Sequence, residues 1–190
     1  MANNCFYLVK VVAPSKEKID EFFSILKYEH PKKLHMCRIF SCDEGGEAAV
    51  RDDGKWEADF CGDCAWSLHT CISNRGYWYD IMDSAEHGTE HYLSKESIEN
   101  YRNGTVLHIG QVCNLLGITT EWWSEEDGIG FQEHLVVTPE SGDDYEVECV
   151  DWQPENVKFD ENGNEVLDEN GNEVTEPAVG GFGNYGDWSI

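Results

Sequence analysis

The fold is decided by Cys5–Val12, CFYLVKVV, and by residues 16–28, KEKIDEFFSILKY, which follow shortly after it. The first stretch is short, apolar and rich in β-branched residues, and this composition predicts a strand. In the second stretch Ile19, Phe22 and Leu26 recur at helical spacing, which predicts an amphipathic helix. A strand followed by an amphipathic helix favours a layered domain in which the helix covers a sheet.

Beyond this opening unit, the chain combines extended segments with one further helix. Apolar residues between Val106 and Leu116 follow helical spacing, and Gly117 is placed to end that helix. Turn residues at 52–55 and 125–128 each separate two apolar runs, which predicts two hairpins. The predicted extended segments cover residues 5–12, 36–42, 48–60, 118–124, 129–138 and 144–152.

The order of these elements predicts one α+β domain over residues 1–152. It is expected to be a two-layer sandwich of an antiparallel sheet and two main helices. Residues 75–95 hold three consecutive aromatics and then a polar run, and they are interpreted as an insertion that packs on the core. Residues 153–190 differ in composition and are interpreted as an acidic hairpin and tail.

The tail contains an internal repeat, because the heptapeptide DENGNEV stands at residues 160–166 and again at 168–174. Each copy holds an Asn-Gly pair, which is a strong signal for a tight turn. Its alternating carboxylates and amides are similar to a calcium loop, but the twelve-residue pattern with its terminal Glu is not met. We therefore expect a small acidic hairpin or two successive turns. The segment Gly180–Ile190 is expected either to dock through its aromatics as a last strand or to form a flexible end.

Two short motifs follow one another in the first part of the chain. One is an Ala-Trp-Ser turn after a strand, and the other is a hairpin of the form aromatic–acidic–Gly–x–x–Phe. Their residues are Ala65, Trp66, Ser67, Trp122, Glu125, Gly128 and Phe131. With these motifs, residues 5–137 resemble the YubB-like ferredoxin-like domain family. The resemblance implies a ferredoxin-like βαββαβ sandwich without an iron–sulfur cluster, and an origin on phages, plasmids or other mobile elements.

The charge of the chain is strongly negative and unevenly spread. Asp and Glu number 38 against 13 Lys and Arg, which gives a formal net charge of -25. Of these acids, 22 lie in residues 96–190, where Arg102 and Lys158 are the only basic residues. Such a chain is repelled by phosphate, so direct binding to nucleic acid or to an anionic membrane is not expected. The acidity serves either solubility or the binding of a basic partner.

The chain carries no evident targeting signal. It has no run of about 18 apolar residues, which a membrane-spanning helix needs. The first residues lack the basic patch and apolar core of a signal peptide. We therefore expect a protein of the host bacterium's cytoplasm, where disulfides rarely persist.

The eight Cys and seven His raise the question of a metal or redox site. Cys61 and Cys64 form a CxxC motif, and Cys37 and Cys42 could complete a zinc site of four thiolates. A CxxC motif that opens a helix can also act as a redox pair. The alternative is that the cysteines are small core residues, which their apolar surroundings favour. We follow this alternative and predict no metal and no cofactor.

No catalytic motif assembles from the sequence. Ser67 and His69 are too close along the chain to converge as nucleophile and base. The pair Glu133-His134 lacks the spacing of a zinc hydrolase. The expected protein is therefore not an enzyme. Two alternatives stay open: a small metal- or thiol-dependent enzyme that uses Cys61 and Cys64, and an interaction module of a plasmid conjugation or replication system.

The leading hypothesis is a mobile-element protein that binds and inhibits a bacterial nucleic-acid-processing defence enzyme. Its most specific form is an anti-CRISPR protein that blocks an effector nuclease such as Cas9. Carboxylates would occupy a basic channel in place of phosphates, so binding should weaken as salt rises. Trp78, which stands between two tyrosines, is a candidate aromatic anchor. The predicted partner-binding acids are Glu125, Glu126, Asp127, Asp143, Asp144, Glu146, Glu148, Asp151, Asp160, Glu161, Asp168 and Glu169.

Overall fold

The computed structural model describes residues 4–34, 39, 41–65, 67–73, 96, 99–100, 103–126, 128, 130–142 and 144–190. It contains the helices α1 (Lys16–Leu26), α2 (Leu68–Ser73) and α3 (Ile109–Leu116). Its strands are β1 (Asn4–Ala13), β2 (Lys33–Leu34), β3 (Asp43–Glu44), β4 (Ala49–Val50), β5 (Trp56–Ala65), β6 (Val106–Leu107), β7 (Thr119–Glu126), β8 (Phe131–Val137), β9 (Val147–Gln153), β10 (Asn156–Val157), β11 (Thr175–Glu176) and β12 (Val179–Gly180). The interpreted insertion, residues 75–95, lies outside the described residues.

The main sheet has eight strands, in the order β12-β9-β8-β7-β1-β5-β3, with β4 also paired to β5. All of these pairings are antiparallel. Strand β1 lies at the centre, because β5 and β7 pair with its two edges over nearly its whole length. Antiparallel neighbours can be joined by tight turns, and β4–β5 and β7–β8 are such hairpins. The expected hairpins are therefore present.

Residues in β1 alternate between the two faces of the sheet, and this alternation decides where the core lies. Tyr7, Val9 and Val11 are fully buried on the face that the helices cover. On the same face, Phe22 of α1 makes an edge-on contact with Trp122 of β7, with ring centroids 6.3 Å apart. The core therefore lies between one face of the sheet and the helices. We name this the core face, and the other the outer face.

Two local predictions from glycine are confirmed. Gly54 takes a φ of 79° in the β4–β5 turn, where the N–H of Arg51 donates to the carbonyl of Lys55 at 2.8 Å. Gly117 ends α3 in the left-handed conformation, with φ of 65°. L-residues with a side chain rarely adopt this conformation, which is why glycine marks both positions.

The second predicted helix starts later than expected. Residues 106–107 form β6, which pairs in parallel with β2 instead of beginning α3. His108 then caps the helix, because its Nδ1 accepts the backbone N–H of Gln111 at 3.3 Å. The Gln111 side chain in turn accepts the backbone N–H of His108, which completes a capping box.

The predicted ferredoxin-like α+β sandwich with two main helices is wrong. The structure is mostly an antiparallel sheet, with 40% of the described residues in strands and 18% in helices. The CxxC segment was expected to end a strand, but it continues β5 as far as Ala65. At the other edge, β12 pairs with Gln153 and Trp152 of β9, so the sheet extends past residue 152. Strands β8, β9 and β12 extend the sheet beyond β7, so the antiparallel sheet and not a pair of helices dominates the structure.

The repeat forms a separate small module, which we define as residues 155–176 and call the repeat module. Strands β10 and β11 pair at its base. In each copy an Asp carbonyl accepts the N–H of a Gly in the left-handed conformation, which closes a tight turn at Gly163 and again at Gly171. The expectation of two successive turns is confirmed.

Three residues close the repeat module into a ring of hydrogen bonds. The N–H of Val166 donates to the carbonyl of Lys158, and the N–H of Val174 donates to that of Val166. The N–H of Lys158 donates back to the carbonyl of Val174, and each of the three bonds measures 2.8 Å. These residues are eight positions apart, so each of the two turns lies between two consecutive members of the ring.

The C-terminal segment, defined as residues 181–190, docks on the outer face of the sheet. Phe182 and Tyr185 meet Trp123 of β7 edge-on, with ring centroids 5.3 and 5.6 Å away. The Nζ atom of Lys10 lies 5.7 Å from the ring centroid of Trp188. The expected docking through the aromatics is confirmed, but the docked residues do not form a strand, because β12 ends at Gly180.

Candidate partner-binding surface

The acids predicted at the β7–β8 turn are not all available to a partner. Glu125 and Glu126 belong to β7 and not to the turn, because the strand runs two residues further than predicted. Glu126 points to the core face and is 0% exposed. Glu125 is half-buried on the outer face, where its carboxylate accepts a hydrogen bond from Nε2 of Gln132 at 3.4 Å. The prediction that both residues belong to the turn was wrong, and Glu126 is not accessible to a partner. Asp127 lies outside the described residues.

The acids of the β9 region are exposed but do not share one face. Asp144, Glu146, Glu148 and Asp151 are all exposed. Residues 148 and 151 are three positions apart in β9, so strand alternation places their side chains on opposite faces. Glu148 also contacts Nδ1 of His134 at 3.0 Å, so its carboxylate already has one partner within the protein. Glu148 and Asp151 therefore cannot meet a partner on the same face of the sheet, and Asp143 lies outside the described residues.

The acids of the repeat module are the most accessible of the predicted set. Asp160, Glu161, Asp168 and Glu169 are all exposed. The full set of exposed acids in the module is Glu155, Asp160, Glu161, Glu165, Asp168, Glu169, Glu173 and Glu176. Lys158 is the only basic residue among residues 155–176. The module therefore presents one sign of charge over its surface.

Two of these carboxylates also hold the turns in place. Oδ1 of Asp160 accepts the backbone N–H groups of Asn162 and Asn164, at 2.8 and 2.9 Å. Asp168 makes the equivalent bonds in the second copy, at the same two distances. Hydrogen bonds favour the charged form of a carboxylate. The backbone N–H of Asn164, and then its side-chain amide, accordingly lower the pKa of Asp160.

Sequence reasoning missed a buried carboxylate on the outer face that holds the C-terminal segment. Glu121 of β7 is 0% exposed. Its Oε1 lies 2.9 Å from Nε2 of His134. Its Oε2 accepts the N–H and the hydroxyl of Ser189, at 2.6 and 3.1 Å, and the N–H of Ile190 at 3.1 Å. The available signal was an acid inside an apolar strand run, directly before two Trp residues.

A second buried carboxylate, Glu133 on the core face, orders the start of α2. It accepts the hydroxyl of Ser67 at 2.6 Å and that of Ser124 at 2.9 Å. It also accepts the backbone N–H of His69 at 3.3 Å. A buried carboxylate that is satisfied by several donors is typical of a structural role. Ser67 is thus engaged by an acid rather than by the histidine two residues further on.

The CxxC motif lies within a strand, and its thiols point to opposite faces. Cys61 is half-buried and Cys64 is fully buried on the core face. Hydrogen bonding with the thiols of Cys5 and Cys71, together with burial, raises the pKa of Cys64 far above its ordinary value. A thiol with a raised pKa is a poor nucleophile. This geometry favours the interpretation of Cys64 as a core residue.

Three further predictions concern a metal site, a membrane span and the anchor Trp78. Among the residues that it describes, no group of three or more His, Cys, Asp or Glu side chains is arranged to hold a metal ion. Within the same ranges, no helix is both long and apolar enough to cross a membrane. Trp78, the candidate aromatic anchor, falls outside the described residues.

Comparison of the chain with protein-family models, with curated proteins and with solved structures found no match. The resemblance to the YubB-like family therefore stays a proposal that rests on its two sequence motifs.

Proposed function

We propose that this chain is a non-enzymatic acidic protein that binds and inhibits a nucleic-acid-processing enzyme. The repeat module would bind a basic channel of that enzyme, with carboxylates in the positions that phosphates otherwise take. The observation that carries the proposal is the set of eight exposed acids on a module with one basic residue. Opposite charges attract the two proteins at long range. Once the module is bound, its carboxylates repel the phosphates of nucleic acid from the same channel.

The construction of the module supports this role. Carboxylates that compete with phosphates work best on a scaffold that fixes their spacing before binding, because ordering on binding costs affinity. The ring through Lys158, Val166 and Val174 and the turns of Asp160 and Asp168 provide such a scaffold. The two copies repeat the same acids at an interval of eight residues.

The most specific form of the proposal is an anti-CRISPR protein of a mobile element. Two observations support it: the resemblance of the sequence motifs to a family found on phages and plasmids, and the concentration of negative charge in one half of the chain. The partner would be a basic CRISPR effector nuclease such as Cas9, met in the bacterial cytoplasm. Neither direct contact with nucleic acid nor binding to a membrane is part of the mechanism.

The test is a DNA-cleavage assay with purified Cas9 loaded with guide RNA. One variant neutralises the acids that do not hold the turns: Glu161→Gln, Glu165→Gln, Glu169→Gln and Glu173→Gln. A matched control removes the same charge from exposed positions in the first half of the chain: Glu29→Gln, Glu44→Gln, Glu47→Gln and Asp52→Asn. We expect inhibition by the wild type and the control, and loss of inhibition in the module variant.

Two outcomes would overturn different parts of the proposal. Unimpeded cleavage with the wild-type protein would remove Cas9 as the partner. Equal inhibition by the module variant and the control, or an affinity that stays constant from low to high salt, would remove the electrostatic mechanism, because exposed ion pairs are screened by salt.

A further inference from the structure

The repeat module combines its charge with exposed apolar side chains at equivalent positions of the two copies. Phe159 and Leu167, eight residues apart, are 57% and 54% exposed. A single exposed apolar side chain is ordinary on a protein surface. Two that recur at equivalent positions of a repeat point to a shared role in contacting a partner.

Each of these apolar side chains has a carboxylate directly across a β-bridge. Phe159 pairs with Glu165, and Leu167 pairs with Glu173, both in antiparallel bridges. Residues opposite one another in such a bridge have Cβ atoms about 4.5–5.5 Å apart and share one side of the ladder. An apolar surface and a carboxylate therefore stand side by side in each copy.

We propose that the repeat module recognises arginine side chains, and that the pair Phe159 and Glu165 forms a guanidinium site. This inference rests on the proposed function, in which the module binds a basic partner, and names the basic group that it selects. A guanidinium group can stack on an aromatic ring and at the same time donate two hydrogen bonds to a carboxylate. The second copy offers Leu167 for the methylene stem of an arginine and Glu173 for its charge.

The same geometry discriminates against lysine. An ammonium group is a compact, strongly hydrated charge that does not stack on a ring through a planar face. A lysine ammonium group can still approach the ring of Phe159, as Lys10 approaches Trp188. It cannot stack a planar face on that ring while donating two hydrogen bonds to Glu165, so its contact is weaker. The partner surface that the module fits is accordingly rich in arginine, as is common in proteins that bind phosphate groups.

The experiment uses the full chain and two labelled peptides, octa-arginine and octa-lysine, whose affinities are measured by fluorescence anisotropy. The wild type should bind octa-arginine about threefold more tightly than octa-lysine, which is the size of an exposed cation–π contact. The variant Phe159→Leu keeps an apolar side chain but removes the ring, and it should bring the two affinities together. Phe6→Leu is the matched control, since Phe6 is an exposed aromatic in β1, outside the module.

The possible results separate this inference from the proposed function. Equal affinity of the wild type for both peptides, or a preference for octa-arginine that survives Phe159→Leu, would overturn the arginine site. Because both peptides carry the same charge, either result would leave the electrostatic mechanism standing. Failure of both peptides to bind at low salt would overturn the inference and the acidic surface together.

Discussion

Glu121 is the residue whose replacement tests the architecture of the outer face most directly. The change Glu121→Gln keeps the size of the side chain and removes its negative charge. In the wild type the carboxylate lies near Nε2 of His134 and accepts three bonds from Ser189 and Ile190. The side-chain carbonyl of Gln can still accept hydrogen bonds from the C-terminal segment, but it is a neutral acceptor and the bonds are weaker.

The expected loss follows from the strength of these bonds. A hydrogen bond to a charged group contributes about 1.5–3 kcal/mol, against about 1 kcal/mol for a neutral one. Weakening of the three bonds from the C-terminal segment therefore predicts a decrease of about 2 kcal/mol in the free energy of unfolding. The opposing effect is the desolvation cost of a buried charge, which the variant no longer carries. We expect the bonds to dominate, because donors surround both oxygens of the carboxylate.

The assay is urea denaturation, together with hydrogen exchange at the amides of Ser189 and Ile190. Glu148→Gln is the matched control, because this carboxylate contacts the same His134 from a side chain that is 57% exposed. Exposed pairs of this kind contribute about 0–1 kcal/mol. Equal stability of Glu121→Gln and Glu148→Gln, or wild-type exchange rates at the two amides, would show that the Glu121 carboxylate does not hold the C-terminal segment.

Three further predictions concern other parts of the chain. The variant Gly62→Ala should lose about 2–3 kcal/mol of stability in urea denaturation, because its Cβ would lie 2.0 Å from a backbone oxygen. Gly46→Ala has open space around it and should be neutral; equal losses would contradict the packing. Asp160 has a folded pKa below its ordinary 3.8, so its support of the first turn is present above that pH and is lost as the pH falls further. Amide chemical shifts of the turn should move in that acid range, and shifts that move only well above it would refute the assignment. Burial raises the pKa of Cys113 to about 12, so iodoacetamide should label the exposed Cys149 first and Cys113 only after unfolding; equal labelling rates would be the contrary result.

Local signals in the sequence predicted much of the fold. The alternation of β1 and the helical spacing of α1 are properties of neighbouring residues, and both elements formed nearly where expected. Gly54 and Gly117 fixed a turn and a helix end, because few other residues accept their backbone conformation. These signals depend on short stretches of chain, which a sequence shows directly.

The arrangement of the elements could not be predicted in the same way. Strand β1 pairs with β5 and β7, although β7 lies more than a hundred residues after β1 along the chain. Such pairings depend on the packing of the whole sheet, which overrides local propensity. For this reason the ferredoxin-like sandwich that the sequence resemblance implied was wrong. The extension of β5 through its CxxC motif was not predicted either.

The sequence predicted which acids are concentrated in the second half of the chain better than it predicted which of them are exposed. Asp160 and Asp168 stand on exposed turns, as the Asn-Gly pairs indicated. Glu126 looked equally accessible in the sequence, because the acids at 125–127 run across the boundary between the strand and the turn. Only the register of β7 with β1 shows that this carboxylate lies opposite Cys5 on the core face.

The closed ring through Lys158, Val166 and Val174 sets a limit on how this module can change in length. In a solenoid each repeat bonds only to its neighbours, so whole repeats can be gained or lost at the ends. Here the third member bonds back to the first, and the number of members is fixed by closure. Duplication or deletion of one octapeptide would leave an N–H and a carbonyl without their partners. Variation among related chains should therefore fall on the side chains of the turns, while the eight-residue interval stays constant.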